Sequence, residues 1–379
     1  MTTSGTASAA NGSALGWRPG LDGLRAIAVL LVLSFHLQTE RWLPGGFVGV
    51  DIFFVLSGFL ITTILLGEHA RTGAISLRAF YLRRMLRLFP ALLVLLAAVA
   101  IGLRFVMIPA FGYRPSQEAV TNSFLYPLAY VFNWVVASNR PFLEALVHLW
   151  SLSVEEQYYL LWPGLLAVSL RLGVSRRGLA GLTLALIFAS ALIPFVWSGW
   201  TWQRLFYASD YRAHALLIGS LLGQLWVDGR FSPERVRSVP FRAAALLSTA
   251  VLVWVVVVAR IDDRFLYLGG FPLIAAASAV LVVNAAFADR SSWAGVILTA
   301  RPLVWLGKRS YAIYLYHLPV AAWTEWLEFP VLSATLVCGF VSIYAAALSY
   351  RYVEQPALRY KERLGRRRGE TEASAPAAS

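Results

Sequence analysis

Arg25 and His36 stand eleven residues apart in an apolar run that opens Gly20-Leu21-Asp22-Gly23-Leu24-Arg25 and closes Ser34-Phe35-His36. At about 100° per residue, that spacing falls within about 20° of three full helical turns and climbs about 16 Å along the axis. One helix face would then carry a guanidinium near one end and an imidazole near the other. A guanidinium suits phosphate or carboxylate oxygens, and an imidazole can take a proton near neutral pH. An ionisable side chain inside an apolar span is a candidate for function. The plainer alternative is a histidine snorkelling at a membrane interface.

Other groups of the same chemical kind follow. Arg84 and Arg87, in Arg83-Arg84-Met85-Leu86-Arg87-Leu88-Phe89-Pro90, are three apart and share a helix face. They read either as a phosphate clamp or as ordinary basic anchors at a helix start. Asp51 lies in Gly45-Gly46-Phe47-Val48-Gly49-Val50-Asp51, where the glycines are explained by close helix packing and the aspartate is not. In His148-Leu149-Trp150-Ser151-Leu152-Ser153-Val154-Glu155-Glu156-Gln157, Ser153 and Glu156 fit a capping box, which leaves Glu155 free to orient His36 or to move a proton itself. His317 lies mid-span and is expected to line the same cavity, with His148 and Asp51 at the depth of His36. His214, beside Arg212 and Asp210, is expected in a local interfacial cluster, and His69 in a loop without a role. The histidines show no metal-ligand spacing, and Cys338, the single cysteine, reads as packing.

These residues must be held by membrane helices. Of the 379 residues, 58% are hydrophobic and 14% charged, about half the usual charged share of a soluble domain. The apolar residues are blocked into ten expected spans: 24–39, 47–67, 88–109, 148–171, 179–198, 211–227, 242–260, 269–288, 306–327 and 331–353. A weaker stretch, 116–137, should lie at the interface or within a long loop. The net charge of +13 suggests nucleic acid at first. Ten spans, however, place 25 of the 33 Lys+Arg on one side, so the excess is a topology signal with both termini cytoplasmic. Residues 1–19 and 359–379 read as cytoplasmic tails, the second basic and then disordered, and no signal peptide is evident.

Taken together, the ordered stretches resemble the acyltransferase-3 family of membrane O-acyltransferases. The matching features are Arg25 and His36, the Gly46–Gly58 stretch with Asp51, Arg84-x-x-Arg87, Trp150-Ser151-Leu152-Ser153-Val154-Glu155-Glu156-Gln157, Ser310-Tyr311-x-x-Tyr314-Leu315-x-His317-x-Pro319 and Val353-Glu354-x-Pro356. The resemblance implies an all-α bundle of about ten spans in the cell membrane, covering 20–358. It implies acyl-CoA as co-substrate, no bound cofactor, and a hydroxylated acceptor such as a surface-polysaccharide sugar or a macrolide. By it, His36 looks like the catalytic base and Arg25, Arg84 and Arg87 look like contacts to the CoA end. Glu155 or Asp51 would tune the imidazole. Ser151, Glu156, Tyr311, Tyr314 and Glu354 join His148 and His317 as candidate cavity residues. Some relatives carry an extra soluble esterase-like domain, for which no room is expected after Gly369. Attack could be direct or pass through an acyl-histidine. The rival reading is a proton-coupled transporter or flippase, whose paired interrupted helices are not evident.

Overall fold

The computed structural model describes residues 15–37, 43–197, 199–327, 330–357 and 359. Among these the chain is helical, with no strand. Ten helices of at least 16 residues follow one another. They are α1 (Pro19–His36), α2 (Val48–Thr72), α3 (Leu77–Gly102), α4 (Leu149–Arg171), α5 (Arg176–Ala191), α6 (Ser209–Val227), α7 (Val239–Val258), α8 (Phe271–Ala286), α9 (Ser310–Trp326) and α10 (Val331–Ser349).

Each of the ten expected stretches overlaps one of these helices. Six segments are long and apolar enough to cross a bilayer: Pro19–His36, Val48–Thr72, Leu77–Ala110, Val239–Val258, Leu266–Ala286 and Leu332–Ala357. Of the other four, α5 and α9 have only 16 and 17 residues. Polar residues dilute α4 and α6. The distribution of side chains is that of a body solvated by lipid. Leu161 and Phe340 are 70% and 73% exposed, whereas Asp51, Arg212 and His317 are wholly buried. Water would reverse that arrangement. The chain is therefore a multi-pass membrane protein. Most of the two terminal segments read as tails lies outside the described residues.

Local chemistry sets the boundaries. Proline opens α1, α7 and α8, where its missing N–H costs nothing. Ser175 caps α5 by accepting from Gly178. Ser153, in contrast, lies inside α4, and its hydroxyl donates to the Leu149 carbonyl. The expected capping box is absent, because α4 starts five residues earlier than that motif requires. α3 also starts early, at Leu77, so Arg84 and Arg87 belong to a continuous helix and not to its first turn. The 116–137 stretch forms two short helices, Gln117–Leu128 and Phe132–Ala137. The second is packed inside the connection, with Phe132 and Asn133 buried.

The centre of the bundle is the contact between α2 and α6. A Cβ on Gly58 would collide with the Leu216 carbonyl, and one on Gly219 with the Val55 carbonyl. The two backbones touch, as small residues permit in membrane helices. Gly58→Ala should lower the melting temperature of purified protein in detergent, by a destabilisation of about 1–3 kcal/mol. Gly181→Ala, on α5 with no atom within 4 Å of the added methyl, should leave it unchanged or raise it. Equal effects at the two sites would contradict the close α2–α6 contact.

Candidate active site

α1, α2, α3, α4 and α9 enclose a cavity of about 260 Å³. Arg25, Arg84 and Arg87 line it, as do Ser57, Ser151, Glu155, Tyr159, Tyr311 and Tyr314. The three arginines expected to act together are thus brought to one cavity, but their states differ. Arg25 donates to Asp22 at 3.1 Å. Arg84 lies 3.5 Å from Glu156 and stacks on the Tyr159 ring at 3.3 Å. Arg87 is exposed and has no ion pair among the described residues; it faces the fields of Arg25, Arg84 and Glu354. An anion entering here would meet Arg87 as an unpaired fork.

Glu155 accepts from the Ser57 hydroxyl at 2.8 Å, across from α4 to α2. Its neighbour Glu156 goes to Arg84, so the two adjacent glutamates take separate partners. Neither forms a hydrogen bond or ion pair with His36.

Three histidines form a second layer beyond Tyr314. The rings of His36 and His317 are 5.0 Å apart, and those of His317 and His148 5.1 Å. Tyr314 lies 5.5 Å from His317, so it stands between the cavity and the histidines. His36 does not itself line the cavity. Backbone carbonyls assign the tautomers. His36 Nδ1 is 3.0 Å from the Val32 carbonyl and so carries the proton there. His317 Nδ1, 2.6 Å from the Tyr314 carbonyl, does the same. His317 Nε2 is then a lone pair, and at 3.3 Å it can share the His36 Nδ1–H. In the neutral ring this leaves Nε2 as the basic nitrogen of His36, with the opposite edge held by two acceptors. That is the tautomer a general base needs.

His148 anchors the layer. Its Nε2–H donates to the Leu315 carbonyl at 3.1 Å, and its own carbonyl accepts from the Tyr314 hydroxyl at 2.7 Å. Ser151 lies 2.6 Å from the same hydroxyl. Tyr311 donates to the Leu88 carbonyl on α3 at 2.8 Å. Glu354 is buried in a wide π-helical turn, Tyr350–Glu354, after α10. Cys338 is fully buried beside the His317 carbonyl, as packing. No metal-holding cluster of His, Cys, Asp or Glu occurs among the described residues.

Asp51 departs from its expected position. It does not orient His36; its carboxylate accepts from Arg212 at 2.8 Å, and both side chains are wholly buried. The Arg212 guanidinium lies 4.2 Å from the Phe271 ring and within 6 Å of Phe54, Trp150 and Phe206. The physical reason is charge: a fully buried carboxylate is tolerable beside a guanidinium and not beside a neutral imidazole. The expected interfacial cluster around His214 is likewise replaced. His214 and Arg212 are in the core, while Asp210 turns outward to Arg204. His69 lies in the last turn of α2 rather than in a loop.

Sequence reasoning placed Arg212 in an interfacial cluster rather than opposite Asp51, and gave Ser57 and Tyr159 no role. Arg212 had a signal, since a buried aspartate demands a cation and Arg212 opens an apolar run. Ser57 and Tyr159 had none, because their partners come from other helices.

The profile of the acyltransferase-3 family, described as an acyltransferase domain, matches residues 18–351. The chain is 37% identical over 353 residues to the Bacillus subtilis protein named "Putative peptidoglycan O-acetyltransferase YrhL", covering 89% of this chain and 54% of that protein. It is 34% identical over 364 residues to the peptidoglycan O-acetyltransferase OatA of Listeria monocytogenes, covering 89% and 55%. The chain thus spans a little over half the length of these curated relatives. No solved structure matches.

Removing one partner of the Asp51–Arg212 pair strands a buried charge. Asp51→Ala or Arg212→Ala should each cost about 3–5 kcal/mol, read as a loss of folded protein on thermal challenge. Asp51→Leu combined with Arg212→Met should recover most of that loss. A double variant as unstable as the singles would show that the pair does more than neutralise itself.

Proposed function

Since the chain belongs to the acyltransferase-3 family, we propose that it transfers an acyl group, acetyl foremost, from acyl-CoA to a hydroxyl of a cell-wall glycan. The observation that carries this reading is the tautomer of His36: Nδ1–H held by the Val32 carbonyl, Nε2 left as the base, above a cavity with three arginines. The names of the relatives favour a peptidoglycan sugar over a macrolide as acceptor.

In this reading Arg87, with Arg25 and Arg84 beside it, binds phosphate oxygens of the donor. The pantetheine arm rises along the cavity, past Glu155 and Ser57, and brings the thioester toward Tyr314. His36 Nε2 takes the acceptor's hydroxyl proton as the oxygen attacks the thioester carbonyl. The C–S bond breaks, and the imidazolium returns its proton to the departing thiolate. The positive charge formed on His36 in between is shared, through Nδ1–H, with Val32 and His317. The rise of about 16 Å between Arg25 and His36 matches a donor whose charges and reactive carbon are well separated. Asp51 and Arg212 hold α2 against α6 and take no part in proton transfer. Ten crossings with both termini cytoplasmic belong to the same proposal. A proton-coupled transporter would use the same buried groups without consuming a thioester.

Purified protein supplied with labelled acetyl-CoA and glycan fragments should release free CoA and an O-acetylated product, identified by mass spectrometry. His36→Ala should lower kcat by roughly 10²–10⁴-fold with unchanged melting. His317→Ala should retain more activity, because it removes one of two acceptors on Nδ1–H. Arg87→Ala should chiefly raise KM for the donor, about tenfold, and Arg87→Lys should restore part of it. Near-normal turnover in His36→Ala would refute the assignment of the base.

Topology is tested separately by reporter fusions. Those at Gly16 and after Arg368 should both report cytoplasm, and one at Ser138 the outside. Termini on opposite faces would rule out ten crossings.

A further inference from the structure

The first cavity is too small for the donor proposed for it. Its volume of about 260 Å³ falls below the roughly 300–1,000 Å³ of clefts that enclose drug-sized ligands. An acyl-CoA, with its adenine, ribose, three phosphates and long arm, must extend well beyond it. A second groove of about 690 Å³ lies next to it. The two flank the same helix starts: Arg25 lines the first and Pro19 the second, and Ser310 lines the first and Arg309 the second.

This groove is cationic and carries exposed indoles. Arg290, Arg301, Lys308 and Arg309 line it, and none has an ion pair among the described residues. Its one lining carboxylate, Asp289, is held down to about 2 by hydrogen bonds from Ser291 and Arg237, so it is committed elsewhere. Trp17 and Trp305 are 68% and 41% exposed. Lys308 lies 4.5 Å from the Trp17 ring, and Arg309 3.9 Å from that of Trp305. Unpaired cations beside open aromatic surface suit a ligand with both phosphate and a flat ring.

A buried carboxylate, Glu354, precedes Gln355 of the second groove. It is within electrostatic reach of Arg87, which lines the first space, and Arg309, which lines the second, and its Oε1 has no hydrogen-bond partner. A phosphate lying between the two spaces would draw both arginines toward itself.

We propose that this second groove holds the phosphorylated adenosine end of acyl-CoA, while the arm passes Arg87 into the first cavity. The inference rests on the acyl-CoA reading given above. A lipid headgroup would satisfy the cations but brings no flat ring for the indoles.

The test uses full-length protein in nanodiscs of neutral lipid, with acetyl-CoA, acetyl-pantetheine and adenosine 3′,5′-bisphosphate. Wild type should prefer acetyl-CoA by kcat/KM, and the bisphosphate should inhibit competitively. Arg301→Glu and Lys308→Glu should each reduce that preference roughly tenfold or more, and weaken inhibition to match. Lys308→Gln, a milder change, should do so in smaller degree at unchanged melting temperature. Variants with wild-type preference and inhibition would overturn the proposal. So would effects that appear only when anionic lipid is added, which would make the groove a headgroup site. Should wild type transfer nothing from acetyl-CoA, the donor reading fails first, and equilibrium dialysis of labelled bisphosphate judges the groove alone. Binding that the two glutamate variants abolish sustains the nucleotide site, and no binding by wild type refutes it.

Discussion

Inside a bilayer no solvent is available to pair with a charge, and almost every polar contact in this protein follows from that constraint. Asp51 finds Arg212, Arg84 finds Glu156 and the face of Tyr159, and Glu155 finds Ser57. Each of the three histidines of the layer spends one ring N–H on a backbone carbonyl. The pairings of Asp51 with Arg212, Arg84 with Glu156 and Glu155 with Ser57 each fix one helix against another, so the charges that are costly to bury also help to set the register of α2, α3, α4 and α6. Arg87 is exposed and has no ion pair among the described residues, and the buried Glu354 keeps an Oε1 without a hydrogen bond.

Burial also separates two kinds of residue that look alike in a sequence. Asp51 and Glu155 are both acids within apolar runs near a histidine. One is sealed among Phe54, Trp150, Phe206 and Phe271 with its guanidinium partner. The other lines an open cavity and is held only by a hydroxyl. The first is closed off from the cavity, and the second lines it.

Much of this was legible beforehand for physical reasons. Helix-forming apolar blocks announce themselves through length and the charges that bound them, and every expected stretch overlaps a helix, six of the segments being long and apolar enough to cross a bilayer. The spacing of Arg25 and His36 depends only on helical periodicity, and Arg84 and Arg87 do line one cavity as their three-residue offset requires. Contacts between distant helices were not legible. Ser57 meets Glu155 across 98 residues and His317 meets His36 across 281, and no local pattern records such pairings. The capping box failed differently: Ser-x-x-Glu is satisfied equally by a helix start and by an interior turn, and only the position of Leu149 decides between them.

The joint between α4 and α9 has a mechanical consequence. Tyr314 gives its hydroxyl proton to the His148 carbonyl, and His148 gives its ring proton back to the carbonyl of Leu315. Two bonds running in opposite directions between the same pair of segments behave as a lap joint. Axial sliding of α9 would break both together, whereas small tilts about the joint strain neither. Any breathing that admits a bulky acceptor should therefore take the form of rocking, with the imidazole layer as the fulcrum and the widest excursion at the arginine end.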